Sequence, residues 1–171
     1  MFQIFFLNKK SKSGFIFLEI LIAAAIISIV FVVLLGIGFS ALNISSAIKN
    51  QTKADFLAKE EFEALRSFRD GTNWATNGLG TVNFTDANPY YLFLDSSDTP
   101  KWVLRAGIET TGIFARYIVF DKVSRDPSTY YIQNVYNSSN DDPKTVKVKV
   151  TISWLDKISR VVAYLTNWQN K

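Results

Sequence analysis

The sequence predicts an α+β protein, with one long N-terminal helix packed on a C-terminal antiparallel β-sheet. Three observations carry this reading. Residues 15–39 are apolar except for Glu19 and Ser28, and about 20 consecutive apolar residues suffice to cross a bilayer as a helix. Residues 41–69 continue at helical spacing, with Ala54, Leu57, Ala58, Phe62, Leu65 and Phe68 on one stripe and Lys53, Lys59, Glu60, Glu63 and Arg66 mostly elsewhere. Residues 145–154 alternate instead, with Val146, Val148, Val150, Ile152 and Trp154 on one face and Lys147, Lys149, Thr151 and Ser153 on the other. That is the pattern of a half-buried antiparallel strand with a solvent face. A helix followed by strands, rather than alternating with them, gives α+β.

The first 14 residues end in Lys9, Lys10 and Lys12 before Gly14. Lysines flanking the span place the N-terminus in the cytoplasm by the positive-inside rule, which Lys49 and Lys53 on the far side weaken without reversing. The remainder then lies outside the cytoplasm. A cleavable secretory signal fits poorly, because the apolar run exceeds the usual 7–15 residues or so of such a signal and contains Glu19. Ala23, Ala24, Ala25, Gly36 and Gly38 are small enough to let helices approach closely in a membrane. No proline precedes Pro89, and Asp70-Gly71 supplies the stop. The expected organisation is therefore residues 1–14 as a leader, 15–39 as a membrane or filament-core helix, 40–70 as its amphipathic continuation, and 71–171 as a β-rich domain.

Within that domain, residues 72–86 are rich in Asn, Gly and Thr and read as a loop with a short strand. Residues 90–95 and 102–105 are bounded by Asp, Ser and Pro and form a hairpin or two short strands. Residues 114–123 are a further strand by their β-formers. After residues 145–154 comes a turn at 155–157, and residues 158–166 pair back, with Trp168 as a terminal anchor.

Composition excludes several classes of chemistry. The chain has no cysteine and no histidine. That removes disulfides, thiolate sites, His-ligated zinc and triads built on His within a single chain. The net charge of +4 resides mostly at the start: three of the 19 basic residues precede Phe15, leaving 16 against 15 acidic. No nucleic-acid partner is expected of so balanced a remainder. Asp141-Asp142 and the pair Asp95 and Asp98 are oxygen-rich, but two neighbouring carboxylates fall short of the roughly 6–8 ligands calcium takes, so solvated turns are expected and no metal or cofactor. Tyr90, Tyr91, Trp102, Tyr130, Tyr131 and Tyr136 are expected to pack in the sheet rather than form a contact surface.

Glu19 is the anomaly. A charge at the centre of a membrane helix costs roughly 2.5–3.5 kcal/mol, less near an end, and such residues usually serve a function. If the chain were cut between Gly14 and Phe15, the new amino group would lie four residues before Glu19, and positions i and i+4 share a helix face. Lysines, then Gly14, then Phe15, an apolar trio, Glu19 and a long apolar helix resemble the processing signature of type IV pilin-like proteins: type IV pilins, type II secretion pseudopilins and competence pseudopilins. The resemblance covers about the first quarter of the chain. It implies cleavage after Gly14 by a prepilin peptidase, N-methylation of Phe15 and assembly through Glu19. It also implies a non-enzymatic subunit with a pilin-like fold. The partners it implies are other pilin or pseudopilin subunits, an inner-membrane assembly platform and the lipid bilayer. Major pilins of this kind commonly carry a proline in the helix and a disulfide near the C-terminus. Their absence here points to a minor pseudopilin of a type II secretion-like system, with a minor type IV pilin or competence pseudopilin as the alternative. A reading from another class is an uncleaved single-pass anchor carrying an external binding domain.

Overall fold

The computed structural model describes residues 13–97 and 99–169. Lys9, Lys10, Lys12 and Asp98, singled out above, lie outside the described residues. Helix α1 runs Ser13–Gly71, 59 residues without a break. Its interior has neither proline nor a run of Gly, the residues that cost most in a helix. At its end Thr72 Oγ1 donates to the Phe68 carbonyl at 2.7 Å, satisfying one of the orphan acceptors of the last turn. The chain forms two compact units, one ending at Lys49 and the next beginning at Asn50. The last part of α1 thus belongs with the domain that follows it.

Six strands follow among the described residues: β1 Tyr90–Asp95, β2 Lys101–Ala106, β3 Glu109–Thr111, β4 Phe114–Ser124, β5 Asp141–Trp154 and β6 Lys157–Thr166. They form one antiparallel sheet in the order β2-β1-β4-β5-β6, with β3 paired to β4. The hairpin β1–β2 is joined to the rest by a single pairing, Tyr90 with Ile118. Gly112, at φ +63°, turns β3 into β4, a backbone state in which a Cβ is strained.

The core lies between the α1 stripe and one sheet face. Ala54, Ala58, Phe62, Leu65 and Phe68 are buried there with Ile118, Phe120, Val146, Val148, Val150, Ile152 and Trp154. Alanines at two of the helix positions allow the backbone close to the sheet. The larger side chains supply the burial, each about 1.5–3 kcal/mol of transfer free energy. The Tyr90 and Phe120 rings meet with centroids 5.6 Å apart.

The long helix and antiparallel sheet match the fold class expected from sequence, and five of the six strands, all but β3, lie where the pattern placed them. Four expectations are corrected. Residues 72–86 hold turns and a 3-10 turn at Leu79–Thr81 but no strand. That segment is pinned instead by Trp74, whose Nε1 donates to the Pro143 carbonyl at 2.9 Å. Asp141-Asp142 begins β5 rather than lying in a solvated turn, because Arg125 Nε meets Asp142 Oδ2 at 2.6 Å. Thr151 is buried although its face was expected to meet solvent. Tyr130 and Tyr131 do not pack in the sheet: they are 73% and 76% exposed in the segment between β4 and β5.

Candidate functional site

Phe15 and Glu19 lie in the first turns of α1, after Gly14 in the same helix. Phe15, Leu18, Glu19, Ile22, Ala23 and Ile26 line one shallow groove along the helix surface. Their spacing of three and four residues puts them on a common face. Every residue from Phe15 to Ser46 is exposed in the isolated chain. So wide an unbroken apolar surface does not persist in water and marks contact with a membrane or another protein. Glu19 forms no ion pair among the described residues. The helix is long and apolar enough to cross a membrane.

Geometry therefore brings Phe15 and Glu19 to one face, with no cation beside the carboxylate among the described residues. An amino group on Phe15, created by cleavage after Gly14, would stand one helical turn away. Ser28 settles its own polarity locally, donating from Oγ to the Ala24 carbonyl at 2.7 Å. Gly36 and Gly38 face open space, where an added Cβ would meet nothing within 4 Å.

A second cluster of charge, absent from the sequence reading, sits in the β-rich unit. Glu61 is buried on the α1 stripe, 1% exposed. Its Oε1 accepts from the Leu92 backbone N–H at 2.9 Å, and its Oε2 lies 3.3 Å from Arg116 Nε. Arg116 also meets Glu60 Oε1 at 3.1 Å and bonds Glu109 across the β3–β4 hairpin. Burial pushes the Glu61 carboxyl above its ordinary range, against the pull of the Arg116 charge and the Leu92 hydrogen bond. The signal was present in the spacing: position 61 falls between Ala58 and Leu65 on the apolar stripe. Its partners, 31 and 55 residues further on, carried no such signal.

The network is a tether among α1, β1, β3 and β4, in which three carboxylates converge on the one Arg116 guanidinium. No grouping of three or more potential metal-ligating side chains occurs among the described residues. Asp141 and Asp142 are each engaged inside the protein: Tyr136 donates its hydroxyl to Asp141 Oδ1 at 3.0 Å, and Arg125 holds Asp142. Asp95 accepts from the Ser97 N–H at 3.1 Å.

Comparison with protein-family models, curated proteins and solved structures finds no match to this chain.

Proposed function

We propose that this protein is a structural subunit of a type IV pilin-like filament, a minor pseudopilin of a type II secretion-like system. The observation that supports it best is Glu19 on an exposed, otherwise apolar helix, on the same face as Phe15 and one turn beyond it. In this reading the lysines hold the N-terminus in the cytoplasm and the β-rich unit lies outside. A prepilin peptidase cuts after Gly14, and Phe15 is N-methylated. Methylation leaves the amine cationic. In a low-dielectric filament core an unpaired carboxylate is heavily penalised and a paired one much less so. Glu19 of an incoming subunit is therefore drawn to a Phe15 amine, its own or its neighbour's, and the pair sets register more than it adds stability.

The test is the intact mass and N-terminal sequence of the protein isolated from its native membrane. A chain beginning at methylated Phe15 is expected. A chain retaining the first 14 residues, in cells with active prepilin peptidase, would overturn this function in favour of an uncleaved membrane-anchored binding domain.

A further inference from the structure

β6 leaves one of its two edges open. On one side it pairs with β5 in unbroken antiparallel register, from Thr145 opposite Thr166 to Trp154 opposite Lys157. On the other side it has no strand, being last in the order β2-β1-β4-β5-β6. Beyond the β5 ladder its backbone receives one hydrogen bond among the described residues, from the Trp168 N–H to the Thr166 carbonyl at 3.0 Å. A row of backbone donors and acceptors therefore faces outward, the template on which another strand can add.

Proteins usually blunt such an edge by shortening it, bending it with a bulge or placing proline on it. β6 is 10 residues long, holds no proline and keeps its register throughout. Its side chains suit further pairing. Ile158, Val162 and Tyr164 stand exposed on the sheet face away from α1, and Val161 is 40% exposed on the face toward it. β-branched and aromatic residues are the ones that fit a pleated surface best.

Charge decides what would pair there. Lys157 and Arg160 are the only charged residues of β6, and both are exposed. Neither forms an ion pair among the described residues. A second copy fits poorly. Its own β6 would bring two more cations, and the opposite edge of its sheet, β2, carries Lys101 and Arg105 and no acid. Like charges set across neighbouring strands destabilise the pairing. β2 is also the lesser edge, 6 residues long with Arg105 already stacked 3.7 Å over the Phe93 ring.

We propose that the β6 edge takes up an extended acidic strand from a partner protein, which continues the sheet and sets its carboxylates beside Lys157 and Arg160. Main-chain hydrogen bonds along the edge supply affinity, and the cross-strand charge pairs supply selectivity. The two cations that repel a second copy are the ones that admit this partner. The inference stands apart from the filament reading, because every residue it uses lies in the β-rich unit.

The experiment uses the full chain in a nonionic detergent at low salt. The probe is a blocked, fluorescently labelled peptide as long as β6, Thr-Glu-Val-Glu-Val-Thr-Val-Glu-Val-Thr. One control carries Lys for every Glu. The other carries Pro-Pro at the central Val-Thr, which removes ladder donors and keeps the acids. Saturable binding of the acidic peptide is expected by anisotropy, with each control at least about tenfold weaker. Hydrogen exchange should slow in Lys157–Thr166 when the acidic peptide binds, and stay unchanged in Lys101–Ala106. Arg160→Glu, at an exposed position, should cost the acidic peptide its advantage over the Lys peptide while keeping the wild-type circular dichroism spectrum. Should it fail to fold, Lys157→Glu takes its place. Absence of saturable binding, equal binding of either control, protection at β2 instead of β6, or indifference to the folded variant would each overturn the proposal. So would β6 protection that rises with protein concentration alone, which would assign the edge to a second copy.

Discussion

Glu61 illustrates how one buried carboxylate is tolerated and what it costs. Its folded-state pKa is raised by burial above the ordinary 4.5, so the folded protein holds that proton more tightly than the unfolded chain. By linkage, the contribution of Glu61 to stability is fully present below 4.5 and is lost as pH rises through the raised folded value. Glu61→Gln keeps an acceptor for the Leu92 N–H and removes the titration. Thermal midpoints measured against pH should therefore fall more steeply for wild type than for Glu61→Gln above pH 4.5, the ordinary value for the group. Parallel curves would show that Glu61 does not titrate differently on folding. Asp126 has the opposite sign. The Ser128 hydroxyl, then the Thr129 and Ser128 N–H groups, hold it down at about 2. Its contribution is present above the ordinary 3.8 and lost as pH falls toward about 2. Gly80 is constrained by space alone: an added Cβ would lie 2.6 Å from the Trp74 ring and 2.7 Å from its carbonyl oxygen. Gly80→Ala should cost about 1–3 kcal/mol in denaturant unfolding, because Trp74 cannot retreat without losing its bond to Pro143.

The packing of α1 on the sheet depends on complementary spacing, period three to four on the helix and period two on the strands. Val146, Val148, Val150 and Ile152 alternate inward along β5 and meet Leu65 and Phe120, all of them fully buried. Leu65→Ala should destabilise the β-rich unit by about 2–5 kcal/mol, through lost burial and the cavity left behind. Leu42→Ala, on an exposed part of the same helix, should leave the unfolding midpoint of that unit unchanged. Equal effects of the two would mean that the helix stripe does not anchor the sheet. β6 is the outermost strand beyond β5, and it exposes Ile158, Val161, Val162 and Tyr164. Lys157 and Arg160, also exposed on it, are the kind of charge that discourages unwanted strand pairing at an edge.

Taken as a whole, the chain divides its labour between a helix whose first part buries nothing in the isolated protein and a β-rich unit that has its own core. The proposed filament function rests on the first and is tested there. Glu19→Ala should leave membrane insertion and cleavage after Gly14 intact, as read by fractionation and N-terminal sequencing, while incorporation into filaments drops. Normal incorporation of that variant would sink the pairing between Glu19 and the Phe15 amine. Leu65→Ala offers the contrast, since it should lower the amount of folded protein without altering the cleavage site.

Much of this was legible in the residues themselves. The long helix, its end at Asp70-Gly71, the β1–β2 hairpin and the strands β4, β5 and β6 all follow from local periodicity and punctuation, which need no knowledge of partners. Phe15 and Glu19 could be placed on one face for the same reason, four residues being about one turn. β3 was not legible, since Glu109–Thr111 is three residues long and exists only because β4 offers an edge to it. Nor was the Arg116 network, whose carboxylates come from α1 and from β3 and meet only when the helix stripe settles on the sheet. Tyr130 and Tyr131 were read as packed because composition cannot tell a strand aromatic from one carried on a connection held by Arg125. The juxtaposition of Asp121, Lys147 and Tyr164 was invisible for the same reason, as they come from three strands. Periodicity along one chain determines which segments form and which faces are apolar. Which polar groups meet across those segments is decided by strand register and packing, and those exist only in the folded molecule.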